Sequence, residues 1–551
     1  MRIEGIDSVS EVNPAGLVKL RTGNNYRTRK WIKLPGLSTA SRLGVFNNNL
    51  ENGYRAFAER YFRCKTDKGF EPALPVKQGT YQKHELGVFA RAVCSNLGLA
   101  PVASVDDVVR AYTGPKRKVY ERARVNYYKF GILRKHYRLS SFIKFEKGDL
   151  TKAPRVINPR APEYNLLLGK YLKLNEKNYF KAIAAAWNEE AVVIKGYDVY
   201  ETARKIRAKW TQFKDPVAVG ADASKFDMHV SREALEYEHS FYLAPFCGGS
   251  QILAHMRYLK YCVLPPPDMP EEEGFEQLAW LLHKQLDNEG IAYFDDGVLK
   301  FRMRGTRASG DLNTSLGNCI IMCALQYAWA LRAGVRVSLV NNGDDCQIIM
   351  ERSDLPRWLK GQEDFYREHG FRMVLEQPVY QFEQLEFCQS RPVKTAEGWI
   401  MVRNPETLIT KGSMCLQPIQ RMNQLRKWMM AIGVCEGSLS RGVPVIGAFA
   451  RAMRRNGLRC SSKLIDVTYH GSSRGFHADR NCVYTEPSAE ARASFFDAWG
   501  IEPAAQQSLE HHYDNWTIDT SSVIKVEACD ATDKPLLQVD PVLALLSPIY
   551  N

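Results

Sequence analysis

Apolar positions recur along the chain in short blocks, some with helical spacing and some as continuous runs. Within residues 1–85, "GYRAFAERYF" carries a helical pattern, and residues 105–138 read as helical and strongly basic. There "GPKRKVYERARVNYYKFGILRKHYR" interleaves cations with tyrosines, either as a solvated face or as a surface that tracks a nucleic-acid backbone. Residues 142–173, "FIKFEKGDLTKAPRVINPRAPEYNLLLGKYLK", predict a strand, a basic loop, and a second strand running into a helix. "DPVAVGADASKFDMHVS" (215–231) predicts a short apolar strand ending at Asp222, with a helix starting near the N-cap Ser231. Residues 307–334 predict a loop feeding a long helix closed by Gly334. Two apolar runs, Val337–Val340 and Cys346–Met350, then flank Asn342-Gly343, a strong hairpin signal. "EDFYREHGFRM" reads as a helix and "QLEFCQSRPV" as a strand; from about 403 the pattern is mainly helical, with "RKWMMAIG" and "PVIGAFARAMRRNG" as clear segments. The last seventy or so residues show little periodicity and read as a tail.

The hairpin poses a chemical question. Asp344 and Asp345 follow the turn signal where a strand should begin, although Asp is depleted in strands and adjacent carboxylates repel. If the strand ending at Asp222 lies beside this hairpin, three carboxylates meet at one sheet edge. Oxygen-rich clusters of this kind suit Mg²⁺ or Mn²⁺, and a pair of such ions supports phosphoryl transfer.

Composition moves the picture only modestly. The 551-residue chain has Lys+Arg 75 against Asp+Glu 61, a formal net charge of +14, which suits a polyanionic partner. Its 13 cysteines contain no C-x-x-C pair and read as reduced thiols of a cytosolic protein. The N-terminal residues lack a signal-peptide pattern, and the apolar stretch 319–334 is interrupted by Gln326 and Arg332, so no transmembrane span is expected. The sequons at Asn313 and Asn515 are read as chance matches. Cys460, His470, His477 and Cys482 have spacings that fit no standard zinc pattern, and Cys319 and Cys323 are expected as small core residues. No Walker loop is present, so a motor role has no support.

Further motifs sharpen the metal hypothesis. "DASKFD" adds Asp227 five residues after Asp222, and "SGDLNTSLGN" supplies Ser309, Gly310, Thr314 and Asn318, the last two sharing a helix face. The order D-x4-D, S-G-x3-T-x3-N, G-D-D resembles the A, B and C motifs of viral RNA-dependent RNA polymerases. "IKFEK…KAPRVINPR" resembles their basic fingers motif, with Lys144, Lys147, Lys152, Arg155 and Arg160 as its cations, and "LEFCQSRPV" resembles the motif bridging palm and thumb. "GVFNNNLENGYRAFAER", "GADASKFDMHVSREALEYEH" and "RGVPVIGAFARAMRRNG" are similar to replicases of the tombusvirus family, over roughly residues 40–460. One departure stands out: where the family often has a lysine proposed as general acid, "GFRMVLEQPV" has Val374, with Arg372 two residues earlier, a clamp but a poor acid.

The resemblance implies an α+β right-hand fold whose antiparallel palm sheet is flanked by helices. It divides the chain into an N-terminal extension with fingertips (1–85), fingers (86–215, with the nucleotide-guiding motif at 142–160), palm (216–243 and 307–395), a fingers insertion (244–306), thumb (396–480) and a tail (481–551). It implies RNA-directed RNA synthesis on the RNA of a positive-strand virus. Two Mg²⁺ or Mn²⁺ ions would be held by Asp222 and Asp344, with the Ala223 carbonyl and Asp345 in support. Arg155 and the neighbouring lysines would cradle the triphosphate, and Asp227, Asn318 and Ser309 would bond the ribose hydroxyls, which favours ribonucleotides over DNA synthesis. Implied partners are a single-stranded RNA template, nascent RNA, ribonucleoside triphosphates, a membrane-anchored viral replication protein and host factors, in the host cytoplasm. A reverse transcriptase, a two-metal nuclease and a non-catalytic RNA-binding relative are the competing classes.

Overall fold

The computed structural model describes residues 16–38, 43–98, 100–469, 479, 481–519, 521 and 523–528. Two sheets position the site. Their strands are β1 (Leu17–Arg21), β2 (Leu139–Ile143), β3 (Val156–Ile157), β4 (Pro216–Ala223), β5 (Asp287–Phe294), β6 (Gly297–Arg304), β7 (Val337–Asn342), β8 (Asp345–Glu351) and β9 (Met373–Leu375). The helices used below are α1 (Leu50–Phe57), α2 (Val105–Arg110), α3 (Gly114–Phe130), α4 (Pro162–Leu172), α5 (Arg232–Leu243) and α6 (Thr314–Ala333).

The first sheet has the order β1-β6-β5-β2-β3. Strict alternation in β6 buries Leu299, Phe301 and Met303 and turns Lys300, Arg302 and Arg304 to solvent. Its apolar face packs on α1 through Leu50, Tyr54 and Phe57. Gly53 is required in that contact, because a Cβ there would stand 2.3 Å from the Phe294 ring.

The second sheet, β7-β8-β4-β9, is antiparallel throughout. Its strands are apolar on both faces, as expected for a sheet covered on both sides. Val217, Val219, Ile348 and Met350 face the largest core, while Ala218, Val340 and Ile349 face a smaller cluster with Trp210 and Phe382. The α6 helix lies in the larger core. Against expectation, it has the length and apolarity of a membrane span, but 72% of that stretch is buried within the fold. Cys319 and Cys323 are buried on it, as expected of small core residues.

Several boundaries differ from those read in the sequence. The basic 105–138 stretch breaks over residues 111–113, just before Gly114-Pro115, into α2 and α3, with a short third helix at Arg134–Tyr137. "QLEFCQSRPV" becomes strand only from Ser390, because Cys388 and Gln389 take left-handed φ values of 52° and 60°. The region after 480 is not an aperiodic tail over its described length. Helices Ala489–Trp499 and Pro503–Asn515 bring Phe495, Trp499, Leu509 and Tyr513 into one core with helices Met422–Ser438 and Ile446–Asn456. The missed signals were local: Ser488 caps the first of these helices by accepting from Ala491 N–H, and Gly500 closes it in the left-handed region. His470 and His477 lie outside the described residues.

Candidate active site

The hairpin forms one residue later than the Asn-Gly signal suggests. Asn342 pairs with Asp345, so Gly343 and Asp344 make the turn, with Gly343 at φ +77°. Asn341 fixes it from within, accepting from Gly343 N–H (3.2 Å) and donating to the Gly343 carbonyl (2.7 Å). Asp345 is thereby the first residue of β8, directly opposite Asp222 on β4. Directly opposed residues hold their Cβ atoms roughly 4.5–5.5 Å apart. The condition posed by the sequence holds: the strand ending in Asp222 lies beside the hairpin.

Burial is the main influence on the proton affinity of Asp344, Asp345 and Asp227. Burial, then the charge of Asp222, pushes the Asp344 carboxyl above the usual range, while its own backbone N–H and Arg155 pull it down. Burial pushes Asp345 up to about 7, opposed by a hydrogen bond from Cys388 N–H (2.8 Å) and reinforced by Asp344. Asp227 is pushed up to about 6 by burial and by Asp344, against the pull of Asn318, Arg307 and Arg155. Among the described residues no three His, Cys, Asp or Glu side chains are gathered closely enough to cage an ion. Two carboxylates completed by waters and substrate phosphates are nevertheless the usual Mg²⁺ donor set. The residues present fit that ion.

Behind the carboxylates, Asn318 Nδ2 donates to Asp227 Oδ1 at 3.2 Å. Asn318 in turn accepts from Arg307 Nε at 3.0 Å, and Arg307 N–H donates to the Asp227 carbonyl at 2.8 Å. The Arg307 guanidinium is paired with Glu238. Glu238 also accepts from Tyr242 Oη (2.7 Å) and Asn313 Nδ2 (2.9 Å). Thr314 opens α6 and spends its hydroxyl proton on the Ala308 carbonyl (2.9 Å), closing the preceding loop. Gly310, at φ +133°, packs against the backbone of Asn158 and Pro159. Ser309 stands beside Tyr61, whose buried hydroxyl also meets the Asn158 side chain and lies near Asp227.

The basic loop divides. Arg155 is open to solvent, with a side-chain exposure of 61%, and lies close enough to lower the proton affinity of Asp227 and Asp344. Lys152 is also exposed, and Lys144 pairs with Glu146 at 2.7 Å. Two expected members do not join them. Arg160 is buried with its donors spent on Asp311 (2.8 Å), Asn288 and the Tyr137 carbonyl, so it clamps the loop and leaves the nucleotide set. Lys147 donates to the Lys411 carbonyl (2.5 Å) beside Trp428, and burial brings it down to about 8. It binds the loop to the C-terminal helical unit.

Several neighbours escaped the sequence reading. Arg60, in the π-helical turn Ala58–Phe62, donates to the Pro154 carbonyl at 2.8 Å and pins the basic loop. Lys225, at a left-handed φ of 50° between the two motif aspartates, is brought down to about 8 by burial and by Arg60. Arg372 is engaged within the fold, donating to the Pro72 carbonyl (3.0 Å) and pairing with Glu71 (3.3 Å). Val374 lies opposite Asp222 in the sheet.

Known proteins resemble this chain over most of its length. A family model described as viral RNA dependent RNA polymerase matches residues 18–263 and 269–521. The chain is 35% identical over 535 residues to the RNA-directed RNA polymerase of Tobacco necrosis virus (strain A), covering 96% of the chain and 70% of that protein. It is 36% identical to the corresponding polymerase of Oat chlorotic stunt virus, with 91% and 66% covered. Against that of Tomato bushy stunt virus (strain Cherry) the identity is 34%, with 95% and 60% covered. The chain therefore spans between 60% and 70% of the length of these three relatives.

Proposed function

The chain belongs to the viral RNA-dependent RNA polymerase family, and from that premise we propose that it copies a positive-strand viral RNA by nucleotidyl transfer at the Asp222–Asp344–Asp345 edge. The observation that carries this reading is the register that sets Asp345 opposite Asp222 beside the Asp344 turn. Bound divalent ions, Mg²⁺ or Mn²⁺, held by Asp222 and Asp344 with Asp345 and the Ala223 carbonyl alongside, would activate the attacking hydroxyl and neutralise charge on the leaving phosphate oxygen.

The chain's own residues do the rest by positioning. Arg155 faces solvent near the carboxylates and holds the triphosphate, with Lys144 and Lys152 as further point charges. Asp227 and Asn318, with Ser309 nearby, receive the ribose hydroxyls of the incoming nucleotide. Gly310 and Thr314 shape the loop that carries Ser309. The Asp227–Asn318 pair supports ribonucleotide over deoxyribonucleotide use, because the 2′-hydroxyl is what distinguishes the two.

In the right-hand fold that the family implies, the four-stranded sheet is the palm and the five-stranded sheet the core of the fingers. That places the insertion strands β5 and β6 in the fingers. The thumb extends past residue 480, because helices Ala489–Trp499 and Pro503–Asn515 share its core. Template and nascent RNA are the partners, in the host cytoplasm, with membrane attachment through a separate viral protein.

The test is incorporation of labelled ribonucleotides on single-stranded RNA with Mg²⁺ or Mn²⁺, with and without primer, beside Asp344→Asn. Template-length product from the parent alone is expected, with RNA binding unchanged in the variant. Equal synthesis by the variant would remove the central claim.

A further inference from the structure

Outside the palm, α3 presents a surface that the polymerase chemistry does not use. One side of α3 is anchored: Tyr120 and Ala123 are buried against α2 and α4, and Tyr120 stacks on Tyr112 with ring centroids 4.1 Å apart. The opposite side carries Lys118, Arg122, Val125 and Lys129, which share one stripe at helical spacing. All four are exposed. Among the described residues, Lys118, Arg122 and Lys129 have no ion-pair partner, and Lys129 sits 5.1 Å from the centroid of the Phe130 ring. The nearby acids are already neutralised: Glu121 by Arg117 at 3.0 Å, Asp106 by Arg124.

Apolar side chains stand out of this basic field. Tyr128 is 68% exposed, Val125 59% and Phe130 57%. Val125, Tyr128 and Lys129 line an open cleft of about 500 Å³ with Arg124 and Asp106. Cations repeating over roughly 16 Å of helix, beside a cleft walled by an exposed tyrosine that leans on Tyr127, match what single-stranded nucleic acid requires. Phosphates follow the stripe, and a base enters the cleft to stack on Tyr128. A lipid surface would instead need a continuous apolar face, and here the cations run the length of the stripe.

We propose that α3 is a docking surface for single-stranded RNA, separate from the template path through the palm. The class of partner rests on the polymerase reading; the surface itself does not rest on the palm carboxylates. The experiment measures binding of a short, unstructured, fluorescein-labelled RNA to the full chain between roughly 50 and 200 mM salt. The parent is compared with the triple variant Lys118→Ala/Arg122→Ala/Lys129→Ala and with Tyr128→Ala. Extension of a self-priming hairpin RNA, which engages only the palm, is the second readout.

The triple variant should bind the RNA about tenfold to a hundredfold more weakly near 0.1 M salt, its salt slope shallower by about 2, the loss of three phosphate contacts. Tyr128→Ala should weaken binding with no change in slope, and hairpin extension should stay within about twofold in both variants. An unchanged affinity and slope in the triple variant would overturn the proposal. So would loss of hairpin extension in parallel with RNA binding, which would make α3 part of the catalytic channel. If anionic phosphatidylserine vesicles release the triple variant while its RNA slope is unchanged, the surface belongs to a membrane and the proposal falls. A parent that binds RNA through α3 but extends no hairpin would count against the palm chemistry alone.

Discussion

Replacing Glu238 by glutamine tests the support of the proposed ribose site at its most buried point. Glu238 and Arg307 have side-chain exposures of 0% and 1%. The carboxylate accepts from Arg307 through one oxygen and from Tyr242 and Asn313 through the other. A glutamine amide can turn its oxygen to only one of these sides. Its NH₂ then faces donors on the other, and the guanidinium loses its counter-charge. Removing one partner of a buried pair costs about 3–5 kcal/mol. At about 2–4 °C per kcal/mol for a domain-sized unit, the melting midpoint should fall by roughly 6–20 °C. Arg307→Lys separates stability from positioning, because it keeps the charge and loses the Nε donor that orients the Asn318 amide toward Asp227. A hydrogen bond to a charged group is worth about 1.5–3 kcal/mol, so its ratio of ribonucleotide to deoxyribonucleotide kcat/KM should fall at least about tenfold. Glu238→Asp should recover part of the lost stability. If Glu238→Gln melts within a degree of the parent, or Arg307→Lys keeps full ribose discrimination, the buried pair does not support the site.

Asp227→Ala should lower the same discrimination ratio together with the rate; an unchanged ratio, measured by competing ribo- and deoxynucleotides, would remove Asp227 from the ribose site. Arg155→Ala should raise the apparent KM for nucleotides about tenfold, the worth of one charge-assisted contact, with RNA affinity unchanged; an effect on RNA affinity alone would place Arg155 on the template. Burial holds His229, His255 and His369 near about 4, well below the usual histidine value near 6.5. Between those two values the unfolded chain binds more protons than the folded one, so stability falls as pH drops below about 6.5, by about 2 kcal/mol per histidine at pH 5. Asp345 and Asp227, raised to about 7 and about 6, gain stability over the same window, so the check compares the parent with His255→Gln. A difference in urea midpoint between the two that stays the same at pH 7.5 and 5.0 would contradict the neutral burial of His255.

What the sequence disclosed and what it hid follow from the range over which each kind of signal acts. Asp222, Asp344 and Asp345 were legible because each sits where an apolar run meets a turn, and such a boundary is written within ten residues. Asp227 and Asn318 were legible because motif order placed both near one site, although periodicity alone would have left Asn318 as a polar helix position. Lys147 and Arg160 could not be sorted from Arg155 by the same means. All three are cations in one basic loop, and their fates depend on residues far away: Lys411, Asp311 and Asn288 take two of them out of solvent.

Glu238 is the sharpest case. In "REALEYEH" it reads as an ordinary acid on an amphipathic helix, yet it is fully buried, because Arg307, distant in sequence, arrives with the opposite charge. Gly317 records that meeting, since a Cβ there would stand 2.2 Å from Glu238 Oε1 and 2.5 Å from Arg307 Nη2. Only a side chain with no volume lets the pair cross the start of α6. A glycine one position before the Asn318 amide, inside an otherwise apolar helix, was thus the one local trace of a buried ion pair. It is interpretable only once α5 and α6 are known to pack. Gly317→Ala should therefore behave like loss of the pair itself, destabilising the protein and loosening ribose selection together. A Gly317→Ala protein with parental stability and parental selection would show that α6 has room to spare beside Glu238, and the pair would then lose its claim to orient Asn318.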